Sequence, residues 1–179
     1  MKIKMKAFQV FMLCALMAFA SCGGQQVTGT ADEKSRVKPG DKVPEFTVQL
    51  TDGSTVNVAD LKGKVVLLNF WATWCPYCLV ELERVPQDII ERFAGTDLVF
   101  IAISREEPLE TVVEFMREND YTFTAGIDPD RSIYDLFAEE SIPRNYLINK
   151  KGVVVTAEVG YTPEEFEALI DKIGDELKK

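Results

Sequence analysis

The sequence contains no histidine and only four cysteines, and both scarcities narrow the chemistry that it can support. A zinc site needs about four ligands, mostly cysteine and histidine. The one closely spaced pair, Cys75 and Cys78, has neither a histidine nor a second such pair to complete a site. A metallochaperone would also want a histidine. We therefore expect no metal site and no other cofactor.

Positive charge is scarce as well. The 179 residues include 20 lysines and arginines against 29 aspartates and glutamates, and the formal net charge is −9. An acidic protein repels nucleic acid phosphates, so we expect no nucleic-acid partner. The hydrophobic content of 46% supports a core, and the length allows one domain behind a leader.

A run of about 20 apolar residues, as a transmembrane helix requires, is missing at the N-terminus. The apolar stretch from Ala7 to Ala20 is too short, and Lys2, Lys4 and Lys6 precede it. A short apolar stretch behind positive residues is typical of a secretory signal peptide. We therefore expect export, and without these three lysines the net charge becomes −12.

Two endings of the leader fit the sequence. Phe19-Ala20-Ser21-Cys22 is similar to a bacterial lipobox, which predicts a signal peptide over residues 1–21 and lipidation of Cys22. Ala18-Phe19-Ala20 instead fits cleavage before Ser21, which would give a soluble periplasmic protein. The small residues before Cys22 and the polar residues after it favour the lipoprotein.

The polar residues 22–38 cannot bury a core, so we predict a flexible tether there and a single domain over residues 39–179. Cys14 lies in the leader. Only Cys75 and Cys78 therefore remain within the predicted domain. An exported domain with one C-x-x-C pair and no other cysteine indicates a catalytic pair.

Cys75 and Cys78 stand where a strand is predicted to end and a helix to begin. Val65 to Phe70 is apolar and β-branched, as in a buried strand, and Leu79 to Phe93 has helical character. A helix N-terminus stabilises a thiolate through its unpaired N–H groups and partial positive charge. A structural disulfide gains most by closing a long loop, which this spacing does not do. The pair is therefore predicted to be a redox disulfide.

The remaining pattern alternates strands with helices. We expect strands at 46–50, 55–58, 98–104, 121–127, after Pro143, and at 153–161, and helices at 108–119, 132–138 and 163–177. Pro86 should bend the helix that follows the cysteines. This order predicts an α/β fold with a mixed central sheet and helices on both faces.

The stretch Gly63 to Cys78, GKVVLLNFWATWCPYC, resembles the TlpA/ResA-type proteins. These are thioredoxin-like thiol–disulfide oxidoreductases, tethered to bacterial membranes and facing the cell envelope. The resemblance runs from about Pro39 to the C-terminus. It implies a thioredoxin-like fold with an N-terminal β-hairpin and a TlpA-type insertion between Val99 and Ile127.

The resemblance implies roles around the cysteines. Cys75 is expected to be an exposed, low-pKa thiolate that attacks a partner disulfide, and Cys78 a more buried thiol that resolves the mixed disulfide. Glu81 lies three residues after Cys78 on the same helical face and is expected to exchange a proton with it. The alternative is a solvated helix glutamate. Asn69 replaces the buried aspartate of ordinary thioredoxins, which leaves Glu81 as the candidate carboxylate.

The resemblance also implies a substrate-binding region. Pro143 is expected to form a cis peptide packed against the cysteines, and the backbone of Ile142 to pair with a substrate strand. Trp74 is expected either to pack against a partner or to be a core aromatic. Arg144-Asn145 departs from the Thr-Thr often found there, and Arg144 either favours an acidic partner or is solvated.

These features predict an envelope oxidoreductase, lipid-anchored and facing the periplasm. Its partners would be exported proteins with disulfides, such as apocytochromes, and a membrane electron donor. The alternatives are a disulfide oxidant or isomerase, and a non-catalytic binding lipoprotein, which the presence of both cysteines and Pro143 disfavours. A peroxiredoxin-type peroxidase is least favoured, because it needs a threonine where Ala72 stands.

Overall fold

The computed structural model describes residues 33–179. The predicted signal peptide over residues 1–21, the lipidation of Cys22 and most of the predicted tether lie outside the described residues. In residues 33–179, no helix combines the length and the apolar character needed to cross a membrane.

The chain alternates strands and helices much as the sequence pattern predicts. The strands are β1 (Thr47–Leu50), β2 (Thr55–Asn57), β3 (Val65–Trp71), β4 (Leu98–Arg105), β5 (Ala125–Asp128), β6 (Arg144–Ile148) and β7 (Val154–Val159). The α-helices are α1 (Pro76–Val85), α2 (Leu109–Glu118), α3 (Tyr134–Phe137) and α4 (Pro163–Leu177). A short 3₁₀ helix spans Val58–Leu61. After Pro86, α1 continues in wider π-helical turns through Glu91.

The seven strands form one mixed sheet in the order β2-β1-β5-β4-β3-β6-β7. Strand β3 is central, parallel to β4 and antiparallel to β6. Strands β1 and β2 form the predicted N-terminal hairpin. All seven residues of β3 are buried, as an apolar strand inside a covered sheet should be.

Helices and loops cover both faces of the sheet and enclose two cores. Side chains alternate along β3, so Val65, Leu67 and Trp71 pack on the face of α1, α2 and α4. Val66, Leu68 and Phe70 pack on the other face, against α3 and the N-terminal segment. Asn69 lies on the α1 and α4 face at a buried position, which brings a polar amide beneath the helix of the two cysteines. The mixed α/β fold is therefore confirmed.

The element boundaries differ from the sequence prediction most clearly at β5 and α3. Strand β5 begins at Ala125 rather than Tyr121, and the chain between α2 and β5 turns through a left-handed residue, Asp120, with a φ of 54°. Tyr121 and Phe123 then stack on each other, and Phe123 also contacts Phe100, so these aromatics cover β4 from a loop. Helix α3 is limited to Tyr134–Phe137.

The predicted boundary between tether and domain at residue 38 is wrong for the last tether residues. Lys34 to Val37 lie along the end of α3, where Val37 N–H donates to the Phe137 carbonyl at 3.1 Å and Glu139 N–H donates to the Lys34 carbonyl at 3.0 Å. Val37 is buried in the second core. The folded domain therefore includes these residues, because Val37 supplies apolar surface that a solvated tether would expose.

Candidate active site

Cys75 and Cys78 form a disulfide at the N-terminus of α1, where β3 has just ended. Cys75 is the N-cap residue, and its sulfur accepts a hydrogen bond from Cys78 N–H at 3.3 Å. Pro76 occupies the first turn, where its missing N–H leaves no bond unmade. The cysteines therefore lie at the strand-to-helix junction that the sequence predicts. The Cys78 N–H points at the Cys75 sulfur, the atom that would carry the negative charge of a thiolate.

The predicted exposure of Cys75 is wrong for the disulfide form. Cys75 is only 5% exposed and Cys78 is fully buried. The Cys75 sulfur lies 3.8 Å from the carbonyl oxygen of Ile142, which covers it from the loop before β6. The order of exposure between the two cysteines still matches the prediction, since Cys75 is the more accessible one.

The loop between β3 and α1 is held by a residue that sequence reasoning missed, Glu107. Its buried carboxylate accepts hydrogen bonds from Thr73 N–H at 2.9 Å and from the Thr73 hydroxyl. The Ser104 hydroxyl, at the end of β4, donates to it at 2.6 Å. Glu107 reaches Thr73 because the parallel strands β3 and β4 end side by side. No local sequence motif predicts these hydrogen bonds, since they depend on the pairing of the two strands.

Trp74, next in the loop, is 58% exposed, so the core-aromatic alternative is wrong. The guanidinium of Arg105 lies 5.8 Å from the centre of its ring. Tyr77 and Val80 on α1 are also exposed. Exposed aromatic side chains, Trp74 and Tyr77, therefore stand next to the two cysteines in the chain.

The Ile142–Pro143 peptide is cis, as the resemblance to TlpA/ResA-type proteins implies. Pro143 is buried, and its carbonyl oxygen accepts a hydrogen bond from Gly160 N–H at 2.9 Å. Ile142 remains half-buried and presents its carbonyl to Cys75. These residues thus form the wall of the site opposite the N-terminus of α1.

Both readings of Arg144, solvated or partner-facing, are wrong. The side chain is fully buried, and its guanidinium donates to the carbonyl oxygens of Glu140 and Ser141 and to the Ser35 hydroxyl. Tyr134 also donates from its hydroxyl to the Ser141 carbonyl at 2.7 Å. The physical reason is that the loop before Pro143 turns its carbonyl oxygens inward, and Arg144 supplies the donors they need.

Glu81 lies one turn after Cys78 and is only 2% exposed, so the solvated alternative is wrong. Its Oε1 accepts hydrogen bonds from Asn69 Nδ2 at 3.0 Å and from Asn145 Nδ2 at 2.7 Å. Its Oε2 has no hydrogen-bond partner among residues 33–179, and neither has Asn69 Oδ1. The carboxyl group therefore sits between two amides in an otherwise apolar core.

Burial raises the pKa of Glu81 to about 8, because the ionised form loses its hydration. The hydrogen bond from Asn145 acts in the opposite direction, and the charge of Glu158 adds to the increase. At neutral pH Glu81 is consequently mostly a neutral carboxylic acid. The raised pKa brings this carboxyl group towards the range in which thiols titrate, so it can accept a proton from a thiol at a smaller cost in free energy than an ordinary carboxylate.

Sequence reasoning also missed Asn145 and Glu158 as neighbours of Glu81. Asn145 lies opposite Asn69 in the β3–β6 pairing and opposite Glu158 in the β6–β7 pairing. Only this non-local register brings the three residues together. Within residues 33–179, no group of three or more cysteine, aspartate or glutamate side chains is arranged to hold a metal ion.

The sequence of the chain matches one known protein family. The sequence model of the AhpC/TSA family matches residues 39–157. The thiol-disulfide oxidoreductase ResA of Bacillus cereus is 30% identical over 177 residues, which cover 97% of this chain and 99% of that protein. The chain belongs to the AhpC/TSA family and is a ResA-like thiol–disulfide oxidoreductase. This confirms the recognition and the enzyme class predicted from Cys75 and Cys78.

Solved structures of similar proteins agree with the fold. A solution structure from Bacteroides thetaiotaomicron, described as a candidate protein disulfide isomerase, has a TM-score of 0.77 and 37% identity, covering 82% of this chain and 94% of that one. A crystal structure from Chlorobium tepidum, described as a candidate thiol:disulfide interchange protein DsbE, has a TM-score of 0.69 and 27% identity, covering 79% and 99%. The thioredoxin-like fold is thus shared with proteins described by the same kind of chemistry.

Proposed function

We propose that this oxidoreductase reduces disulfides of exported proteins, with Cys75 as the nucleophile, Cys78 as the resolving thiol and Glu81 as the proton acceptor. The observation that carries this proposal is the buried Glu81, held by Asn69 and Asn145 one turn after Cys78. A structural disulfide would not need a buried carboxyl group with a raised pKa beside it.

The reaction would proceed in two exchanges. The Cys75 thiolate attacks a partner disulfide, forms a mixed disulfide and releases one partner thiolate. Cys78 then gives its proton to ionised Glu81, and the resulting thiolate attacks the Cys75 sulfur. The intramolecular disulfide closes, and the second partner thiolate leaves. The partner has gained two electrons, and the enzyme has lost them.

Substrate binding would use the wall formed by Ile142 and Pro143 together with Trp74. The Ile142 carbonyl faces Cys75 and can accept a hydrogen bond from an extended partner segment. The exposed ring of Trp74 offers apolar surface beside the disulfide. This arrangement suits backbone recognition of an unfolded or extended chain more than recognition of one side chain.

The location we propose is the bacterial envelope, with a lipid on Cys22 and the domain facing the periplasm. Its support is the leader sequence and the resemblance to envelope oxidoreductases. Electrons would come from a membrane donor, and apocytochromes awaiting haem are candidate partners. Replacing Cys22 with serine should move the protein from the membrane fraction to the soluble fraction. An unchanged distribution would contradict the lipid anchor.

A second function, disulfide isomerisation, is favoured by one comparison, since the relative from Bacteroides thetaiotaomicron is described as a candidate disulfide isomerase. The reduction potential of the Cys75–Cys78 pair, measured in glutathione buffers, separates the two. We expect a value near or below about −270 mV, as for thioredoxin, whereas about −120 to −180 mV would indicate an oxidant or isomerase. A thiol-dependent insulin-reduction assay, with Cys75→Ser as the inactive control, excludes a non-catalytic binding module if the wild type is active.

A further inference from the structure

A second buried carboxylate, Glu158 on β7, lies next to the cluster that Glu81 forms with Asn69 and Asn145. Glu158 is 6% exposed and pairs directly with Asn145 across the β6–β7 ladder. Residues opposite each other in an antiparallel pair have Cβ atoms about 5 Å apart. Asn145 therefore stands between the two carboxyl groups, with its amide donating to Glu81 Oε1 at 2.7 Å.

Glu158 has a counter-charge from outside the sheet. The ammonium group of Lys172, on α4, lies 2.8 Å from Glu158 Oε1, and the Thr156 hydroxyl donates to the same oxygen at 3.2 Å. The Lys172 side chain is 45% exposed, whereas that of Glu158 is 7% exposed. Glu81 is therefore hydrogen-bonded to Asn145, Asn145 is paired in the sheet with Glu158, and Glu158 is bonded to a lysine at the surface.

The other groups around Glu81 are neutral or paired elsewhere. Strands β3 and β6 contribute the neutral amides of Asn69 and Asn145. On α1, Arg84 is bonded to Asp88 on its own helix and to Glu167 on α4. Cys78 is part of the disulfide. Glu158 and Lys172 are consequently the charged pair that adjoins Glu81 by way of Asn145, on the same face of the sheet.

We propose that Glu158 and Lys172 are positioning residues that set the pH at which the Glu81 carboxyl group gives up its proton. The negative charge of Glu158 keeps the proton on Glu81, and the positive charge of Lys172 limits that effect. The consequence for catalysis rests on the proposed function of Glu81. If Glu81 must be ionised to accept the Cys78 proton, this pair sets the pH range in which the mixed disulfide is resolved.

The test is a titration of the Glu81 carboxyl carbon by NMR in the oxidised full-length protein, where the cysteines do not titrate. The wild-type midpoint should lie near 8. In Glu158→Gln the midpoint should fall by about half a pH unit or more, because a nearby negative charge is lost. In Lys172→Met it should rise, and Lys172→Arg should restore the wild-type value.

The exposed pair Asp175–Lys178, at the C-terminal end of α4, provides the matched controls. Asp175→Asn and Lys178→Met remove one negative and one positive charge at the exposed end of α4 and should leave the Glu81 midpoint unchanged. The proposal is overturned if Glu158→Gln behaves like Asp175→Asn. It is also overturned if Glu158→Gln and Lys172→Met shift the midpoint in the same direction, since that would indicate a structural effect instead of a charge effect.

The pH profile of the resolving step, measured by stopped flow in the same variants, separates this inference from the function on which it rests. We expect the profile to move with the Glu81 midpoint, in the acid direction for Glu158→Gln and in the alkaline direction for Lys172→Met. If Glu81→Gln resolves mixed disulfides at the wild-type rate, the catalytic role of Glu81 fails. The titration result still decides whether Glu158 and Lys172 control its proton.

Discussion

Arg144 and Asn145 are neighbours on β6, yet they belong to two different buried clusters. Successive side chains of a strand point to opposite faces of a sheet. Asn145 therefore joins Glu81 on the face of α1 and α4, whereas Arg144 reaches the α3 side and donates to the carbonyl oxygens of Glu140 and Ser141. Arg144 and Asn145 directly follow the cis Ile142–Pro143 peptide, and the Ile142 carbonyl oxygen faces Cys75.

The two clusters differ in how completely their polar atoms are satisfied. The guanidinium of Arg144 carries a permanent charge and donates to several oxygens, so it holds the loop before Pro143 in one conformation. Glu81 has one oxygen without a partner among the described residues, and its charge depends on pH. Arg144, with its many hydrogen bonds, is suited to holding the loop before Pro143 in place. Glu81, with one oxygen unbonded, is suited to proton exchange.

The largest effect should follow from breaking the Arg144 cluster. Arg144→Met removes the guanidinium donors of the Glu140 carbonyl oxygen and the Ser35 hydroxyl, and it leaves the Ser141 carbonyl oxygen with the Tyr134 hydroxyl. Because each buried unsatisfied group costs about 1–3 kcal/mol, we expect the free energy of unfolding to fall by roughly 3 kcal/mol. Urea denaturation of the oxidised protein measures this change.

Arg144→Lys is the matched control, since it keeps the charge but loses the forked geometry, and it should recover part of the lost stability. The NMR midpoint of Glu81 should be the same in Arg144→Met as in the wild type. A shift of that midpoint by a full pH unit would mean that the two clusters are not independent.

The next effect is a pH-dependent stability that comes from Glu81. Its pKa is about 8 in the folded protein, above the ordinary glutamate value of 4.5. Between these values the folded state binds more protons than the unfolded state, so stability is greatest below about pH 4.5 and falls as the pH rises towards 8. We expect the wild type to lose at least about 1.4 kcal/mol across this range through Glu81, the equivalent of one pH unit.

Glu81→Gln isolates this contribution, because glutamine keeps the side-chain shape and does not titrate. Burial also raises the pKa of Asp128, which contributes with the same sign in both proteins and cancels in the comparison. Urea midpoints of the wild type and the variant should therefore converge at low pH and separate at pH 8.5, with the variant more stable. Equal slopes with pH would contradict the protonated state of Glu81.

Local sequence patterns were enough to predict the site's framework but not its polar interior. An apolar strand, a C-x-x-C pair and a following helix are adjacent in sequence, and the spacing from Cys78 to Glu81 follows from one helical turn. The pairing of Asn145 with Asn69 and with Glu158 depends on strands far apart in the chain. Arg144 was misjudged because charged residues are usually exposed, and only the inward carbonyl oxygens explain its burial.

The smallest effect should come from Ser35, which connects the N-terminal segment to the Arg144 cluster. Its hydroxyl accepts a hydrogen bond from Arg144 Nη1 at 2.7 Å, and the residue is buried. Ser35→Ala removes one acceptor while the carbonyl oxygens of Glu140 and Ser141 still engage the guanidinium. We therefore expect a loss of only about 1 kcal/mol, with Ser54→Ala, an exposed serine in the β1–β2 turn, as the control. A loss as large as that of Arg144→Met would show that the N-terminal segment, and not the loop before Pro143, is what Arg144 mainly supports.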